Sequence, residues 1–253
     1  MTSDLVTIRR EGAIARVTLN RPEARNAVNL ALCHALQAAF DGFQGDAETA
    51  VVILDAAGPV FCAGADMRER KGRDEAWVVA RRQASFRAYA AIEACPIPVV
   101  CAVQGPVVGS GGEISMACDF IVASDAASFL FPEPQWGTVG ATQRLQRRIG
   151  VARAKELLFT GRKMGAEEAH ALGLITRLVA AEDLTAEVEA IAQKIATAPQ
   201  TAMRLTKQAV DHGSRTDLAS GIEVEMAAIR QLLAQSDWQA GVEKFAKEVG
   251  NAG

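Results

Sequence analysis

Two glycine-rich turns that each end in an acidic residue are the parts of this sequence best suited to chemistry. They read "GPVFCAGAD", residues 58–66, and "GPVVGSGGE", residues 105–113. Each turn follows an apolar run of strand length, which predicts a repeated strand, turn and helix start. Glycine-rich turns expose backbone N–H groups that stabilise negative charge. At one edge of a parallel sheet the two turns would bring two sets of N–H donors together, beside the Glu113 carboxylate.

The common motifs for glycine-rich loops do not describe these turns. "GSGGEI" has Ile114 where G-x-G-x-x-G requires glycine, and no glycine loop is followed by G-K-[ST]. Ser110 is not in a nucleophile elbow, because Val108 occupies the first glycine position of G-x-S-x-G. A dinucleotide site and a serine hydrolase are therefore unsupported. Thioester activation remains, since two converging N–H donors suit a developing enolate oxygen.

The histidines and cysteines do not suggest a metal site. His34, His170 and His212 are isolated and match no ligand spacing, so we predict no metal. The five cysteines are widely spaced and include no C-x-x-C pair, so we expect them to be small buried residues.

Composition excludes several classes of partner. The 253 residues are 49% hydrophobic, enough for one large domain or a domain with an appendage. The formal net charge of −3 gives no electrostatic reason to expect nucleic acid or a membrane surface. No apolar run is long enough to span a membrane, and "MTSDLVTIRR" lacks the apolar core of a signal peptide. We therefore expect a cytoplasmic protein.

The elements that must position the turns can be predicted from local patterns. Residues 5–20 alternate around Glu11 and Gly12, which predicts an antiparallel hairpin. Asn29 is a suitable N-cap for a helix. The runs at 50–54 and 99–103 predict parallel strands buried on both faces. Residues 74–95 predict a long helix that ends before the prolines at 96 and 98.

The second half of the chain is predicted to be mostly helical. "FIVAS" and "ASFLF", at residues 120–124 and 127–131, suggest a third pair of strands before helical patterns take over at Thr142. Residues 196–247 predict amphipathic helices broken at Pro199 and Gly213. We therefore divide the chain into a core, 1–195, and a helical oligomerisation region, 196–253. The apolar stripe that a partner subunit would cover comprises Leu218, Ile222, Met226, Ile229, Leu232 and Leu233.

Five blocks along the chain resemble the crotonase family, also called the enoyl-CoA hydratase/isomerase superfamily. They are "LNRPEARNAVN" (19–29), "FCAGADM" (61–67), "GPVVGSGGEISMACD" (105–119), "FPEPQWGTVGATQRL" (131–145) and "TGRKMGAEEAHALGLITRLV" (160–179). The resemblance implies an α/β fold, a spiral of β-β-α units with a C-terminal helical trimerisation region. It also implies a homotrimer or a dimer of trimers.

The resemblance assigns roles to particular residues. The backbone N–H groups of Ala65 and Ser110 would form the oxyanion hole, and Glu113 and Glu133 match the two catalytic glutamates of enoyl-CoA hydratases. The partner would be an acyl-CoA thioester; coenzyme A belongs to the substrate, so no separate cofactor is expected. The further residues expected to bind substrate are Arg25, Ala63, Gly64, Asp66, Met67, Gly111 and Trp136.

Each assignment has a simpler alternative. Glu113 can be a first-turn helix acid, stabilised by about 0.3–1 kcal/mol, and Asp66 an N-cap. Glu133 can be a solvated loop acid, and Trp136 can pack in the core or at an interface. The segment after Glu133 is shorter than in many relatives by about three residues. The tail "FAKEVGNAG" lacks their basic, proline-containing ending, so a CoA-phosphate contact is not expected from it.

The expected function is 2-enoyl-CoA hydratase, the reversible syn addition of water to a trans-2-enoyl-CoA. Water must lose a proton as it attacks the β-carbon, the α-carbon must gain one, and charge builds on the thioester oxygen. Two carboxylates beside two N–H donors suit that reaction. The alternatives are a Δ3,Δ2-enoyl-CoA isomerase, a carnitinyl-CoA-type dehydratase, and a catalytically silent acyl-CoA-binding protein.

Overall fold

The computed structural model describes residues 5–235, 238, 239, 241 and 243. These residues form two compact units, one ending at Ala196 and the other beginning at Thr197. Within the described part of the chain, no helix is long and apolar enough to cross a membrane.

The strands form two sheets in the first unit. A six-stranded sheet has the order β1-β2-β3-β4-β6-β9, and a three-stranded sheet has the order β5-β7-β8. The strands are β1 Val6–Glu11, β2 Ile14–Leu19, β3 Val51–Ala56, β4 Val99–Val103, β5 Pro106–Val108, β6 Phe120–Ser124, β7 Ser128–Leu130, β8 Met164–Gly165 and β9 Arg177–Val179.

Eight helices lie in the first unit and two in the second, among the described residues. They are α1 Leu30–Asp41, α2 Met67–Arg70, α3 Glu75–Glu93, α4 Ser110–Ala117, α5 Thr142–Ile149, α6 Val151–Thr160, α7 Ala166–Ala171, α8 Leu184–Ala196, α9 Gln200–Gly213 and α10 Leu218–Gln235. Asn29 caps α1 as predicted, because its side chain accepts a hydrogen bond from the Leu32 N–H at 2.8 Å.

The six-stranded sheet confirms the predictions made from hydrophobic pattern. β1 and β2 form the expected antiparallel hairpin, and β2, β3, β4, β6 and β9 are parallel. Alternate residues of β3 and β4 belong to two different apolar clusters, one on each face of the sheet, and α8 covers one of these faces. Burial on both faces explains why these strands are continuous apolar runs.

The chain builds its spiral by alternating between the two sheets. β4 lies in the large sheet, β5 in the small sheet, and α4 follows; β6, β7 and α5 repeat this order. The strands predicted from "FIVAS" and "ASFLF" are β6 and β7, but the two do not pair with each other. β6 already has β4 and β9 as neighbours, so β7 instead pairs with β5 in parallel. The fold is the predicted α/β spiral of β-β-α units.

The second unit contains α9 and α10, and α9 begins directly after Pro199 as predicted. Several apolar side chains of α10 remain exposed: Leu218 by 82%, Ile222 by 49%, Met226 by 38%, Ile229 by 40% and Leu233 by 49%.

Candidate active site

The two glycine-rich turns lie side by side. Cys62 and Val107 form a parallel bridge, in which the Val108 N–H donates to the Cys62 carbonyl at 2.9 Å. A second bridge joins Val28 to Ala65. Within the described residues, the N–H groups of Ala65 and Ser110 donate no hydrogen bond to any acceptor. The fold therefore leaves both predicted donors available, one on each turn.

Asn26 holds the first turn in place, and sequence reasoning missed it. Its side chain is fully buried, with Nδ2 donating to the carbonyls of Ala57 and Val60 at 2.8 and 2.9 Å. Its Oδ1 accepts from the Arg21 N–H at 2.8 Å. A buried side-chain amide whose groups are all bonded to backbone fixes a loop firmly. Asn26 could have been found from the sequence as a polar residue within 19–29, one of the five blocks that carry the family resemblance.

Glu113 lies in the first turn of α4 and is only 4% exposed. Its Oε2 accepts a hydrogen bond from Arg144 Nη1 at 2.7 Å, which is a short charge-assisted contact. The position is that of the helix-dipole alternative, but burial and an ion pair with an arginine go beyond what such an acid needs. Arg144 comes from α5, 31 residues further along the chain.

Glu133 has a different environment. It is 8% exposed, which rules out the alternative of a solvated loop acid, and its Oε2 is buried without a hydrogen-bond partner among the described residues. Burial raises the pKa of this carboxyl above its ordinary value of 4.5. Its own backbone N–H and the charge of Arg82 act in the opposite direction, while the charge of Glu113 raises the pKa further.

Gly109 brings the two acids together. It has a φ of 46° and precedes α4, and its carbonyl accepts the Glu113 N–H at 3.2 Å. A Cβ atom at this position would lie 2.6 Å from Glu133 Oε1, so only glycine leaves room for that carboxylate. The Glu133 carboxylate thus lies beside the residue that precedes the helix carrying Glu113.

The remaining predicted residues fall into two groups. Gly64 and Gly111 are buried in the turns, whereas Ala63 and Ala65 are half-buried beside them. Arg25, Met67 and Trp136 are exposed, Trp136 by 61%, which excludes packing of this indole in the core of the chain.

Asp66 has the capping role that the simpler alternative gives it. It caps α2 by accepting from the Arg68 N–H at 3.0 Å, and it also pairs with Arg21 at 2.6 Å. The Arg21 side chain and its charge hold the pKa of the Asp66 carboxyl below its ordinary value, against the opposing effect of burial. Both contacts fix the start of α2 directly after the first turn.

Other sequence predictions concern metals, cysteines and the tail. All five cysteines are buried, as expected. In the part of the chain that is described, no group of three or more His, Cys, Asp or Glu side chains could hold a metal ion. The "FAKEVGNAG" segment lies outside the described residues.

This arrangement suits addition or removal of a proton beside a carbonyl. Two free N–H groups can receive a negatively charged oxygen. Beside them the Glu113 carboxylate is paired with Arg144, whereas the Glu133 carboxyl is buried with no charged side chain of the described residues in contact. Titratable groups whose environments differ in this way can divide the acid and base roles of a reaction.

Comparison with known proteins decides the family. The sequence model described as "Enoyl-CoA hydratase/isomerase" matches residues 9–250. The chain belongs to the enoyl-CoA hydratase/isomerase family. This family member is 35% identical over 248 residues to a "Probable enoyl-CoA hydratase" of Rhizobium meliloti, with 97% of this chain and 96% of the relative covered. It is 34% identical over 244 residues to an "Enoyl-CoA isomerase/hydratase" of Mycosarcoma maydis, covering 92% and 89%.

A solved structure agrees with this enoyl-CoA hydratase/isomerase assignment. The fold superimposes on an enoyl-CoA hydratase from Bacillus anthracis with a TM-score of 0.93, at 35% sequence identity and with 96% of each chain covered. The family and the crotonase-like fold expected from the five blocks are both confirmed. The relatives carry both hydratase and isomerase names, so they leave the choice between those reactions to the chemistry of the site.

Proposed function

We propose that this protein is a 2-enoyl-CoA hydratase, which adds water reversibly and syn to a trans-2-enoyl-CoA and gives a 3-hydroxyacyl-CoA. The observation that carries the proposal is a pair of buried acids at one site: the Glu133 carboxylate lies beside Gly109, which precedes the helix that carries Glu113, and the charge of Glu113 acts on Glu133. Hydration needs two proton transfers at adjacent carbons, and an isomerase needs only one carboxylate as a shuttle.

The environments of the two acids suggest their roles. Arg144 holds Glu113 through a short ion pair, which suits a base that orients water and takes its proton as it attacks the β-carbon. Glu133 has a raised pKa, which suits the group that gives a proton to the α-carbon. In the reverse direction Glu133 would take the proton from the α-carbon, and Glu113 would return a proton to the departing hydroxyl.

The thioester oxygen would lie between the backbone N–H groups of Ala65 and Ser110. Charge develops there as the enolate forms, and preorganised donors of this kind contribute about 2.7–4 kcal/mol each to catalysis. The acyl-CoA itself supplies the activated carbonyl, so the proposed reaction uses no separate cofactor. Arg25, exposed and free of side-chain partners among the described residues, is proposed to meet the CoA nucleotide.

The test is turnover of a panel of trans-2-enoyl-CoA thioesters of different chain length, followed by loss of the enoyl-thioester absorbance. Glu113→Gln and Glu133→Gln should each lower hydration by about 10²–10⁴-fold, because the amide keeps the size of the acid but cannot accept a proton. Their effects should not multiply, since both groups act in one transition state. Binding of a saturated acyl-CoA, measured by calorimetry, should survive in both variants.

Glu167→Gln is the matched control, because Glu167 is an exposed acid in the first turn of α7. It should leave turnover unchanged. If Glu113→Gln behaved in the same way, Glu113 would be a helix-dipole acid only. Turnover of 3-enoyl-CoA without hydration of 2-enoyl-CoA would identify an isomerase, and binding of acyl-CoA without any turnover would identify a silent binding protein.

A further inference from the structure

Arg144 connects three helices at the candidate active site. Its Nε and Nη2 donate to the two carboxylate oxygens of Glu93, at the end of α3, at 2.8 and 2.9 Å. Its Nη1 donates to Glu113 Oε2, on α4, at 2.7 Å. A planar guanidinium can make these three contacts at once because its donors form a rigid fork, whereas a lysine ammonium cannot reproduce that geometry.

The surroundings hold this guanidinium from another side as well. The Arg144 Cζ lies 5.5 Å from the centre of the Tyr89 ring, a cation–π distance. The Tyr89 side chain is fully buried, and its hydroxyl has no hydrogen-bond partner among the described residues. Glu93 thus fixes one edge of the guanidinium and Tyr89 lies against its face. The edge that carries Nη1 is directed at Glu113.

The contact uses only one oxygen of Glu113. No donor among the described residues bonds Oε1, so this oxygen remains available to a water molecule or substrate. A glutamate held through Oε2 alone presents Oε1 in a single orientation. Removing the arginine would free the side-chain torsions that set that orientation, and an error of 1 Å in a reacting group costs about 10²-fold in rate.

We propose that Arg144 is a positioning residue for the catalytic base, and that Glu93 acts through it by fixing the guanidinium. This inference rests on the proposed hydratase function. Arg144 does not touch the reacting atoms; it acts on the orientation of Glu113. The effect of losing it should therefore fall on kcat, while KM for the enoyl-CoA changes little.

The variants are Arg144→Met and Arg144→Lys, with Arg148→Met as a matched control. Arg148 is on the same helix and donates to the carbonyls of Met116 and Cys118 at 2.9 and 2.7 Å. It therefore also ties α5 to α4, but it touches no carboxylate of the described residues. We expect Arg144→Met to lower kcat by about 10- to 100-fold. Arg148→Met should lower the unfolding midpoint and keep kcat within about twofold.

Arg144→Met leaves two acids unpaired and can therefore fail to fold. Arg144→Lys keeps the positive charge, so it tests the same inference if the methionine variant does not fold. It should lower kcat by less than the methionine substitution does, because one ammonium cannot bind Glu93 and Glu113 in the same geometry.

The decisive measurement repeats both Arg144 variants in the Glu113→Gln background. If Arg144 acts through Glu113, neither variant should lower kcat any further there. An equal fold-loss in the parent and in Glu113→Gln, or an unchanged kcat in folded variants of the parent, would overturn the inference while the hydratase function stood. A parent protein that hydrates no thioester of the panel would overturn the proposed function, and this inference with it.

Discussion

Adding one methyl group at Gly140 should displace the Glu133 side chain. The loss of kcat and the loss of unfolding free energy that follow would separate the catalytic role of Glu133 from its structural role. Gly140 lies just before α5, in the segment that follows Glu133. A Cβ atom there would be 2.8 Å from Glu133 Cγ, 3.0 Å from Oε1 and 3.1 Å from Cδ. Carbon atoms in contact prefer a distance of at least about 3.5 Å, so the side chain must move by at least about 0.7 Å.

The size of the loss follows from that displacement. Since about 1 Å of misplacement costs about 10²-fold in rate, we expect Gly140→Ala to lower kcat by about 10- to 100-fold. This corresponds to about 1.4–2.8 kcal/mol of transition-state stabilisation. Stability should fall less, because the end of a glutamate side chain can swing away from a new methyl group.

Gly137→Ala provides the matched control. Gly137 has a φ of 67°, so alanine is strained there, but its Cβ would meet no atom within 4 Å. This variant should lose about 1–2 kcal/mol of unfolding free energy and keep its kcat. Gly140→Ala should instead lose kcat and keep most of its unfolding free energy.

The assay is hydration of crotonyl-CoA, with urea unfolding of the same samples. A folded Gly140→Ala protein whose kcat is within about twofold of the parent would refute the reasoning. It would mean either that the segment moves instead of the acid, or that catalysis does not depend on where Glu133 lies.

Three further predictions concern stability and assembly. Burial raises the pKa of Glu133, so the folded protein holds a proton that the unfolded chain releases near pH 4.5. The unmutated protein should therefore lose stability relative to Glu133→Gln as the pH rises from about 4.5 through the raised pKa. A stability difference between the two proteins that does not change with pH in urea titrations would contradict this. Tyr89→Phe removes a buried hydroxyl that has no hydrogen-bond partner among the described residues. The unfolding free energy should therefore be unchanged or rise by up to about 1 kcal/mol. A decrease of more than about 1 kcal/mol would show that the hydroxyl is hydrogen-bonded in solution. The exposed apolar side chains of α10 predict that the protein is a trimer or hexamer in light scattering. Ile229→Glu should weaken that assembly. A monomer mass for the unmutated protein at micromolar concentration would refute the prediction.

Much of the candidate site could be found from sequence because its parts lie within short motifs. The family resemblance assigned Ala65 and Ser110, one on each glycine-rich turn, as donors, and both carry free N–H groups in the described structure. Glu113 and Glu133 were singled out through the resemblance. Pattern alone could not show that Glu133 is buried, because two flanking prolines are equally compatible with a solvated loop.

The elements that sequence determined are those with local causes. Alternation specified the β1–β2 hairpin, continuous apolar runs specified β3 and β4, and the Asn29 side chain specified the start of α1. Each signal comes from residues within a few positions of one another, so it survives without knowledge of the rest of the chain.

Tertiary structure alone decided which distant residues meet. β7 joined the smaller sheet because both neighbours of β6 were already in place. Arg144 reached Glu93 and Glu113 across separations of 51 and 31 residues, and Asn26 reached Ala57 and Val60 across 31 and 34. Such contacts depend on how helices and strands pack, because a side chain can choose among many partners until the fold brings one of them within 3 Å. Sequence therefore determined the parts of this protein, whereas packing determined the environments that distinguish its two acids.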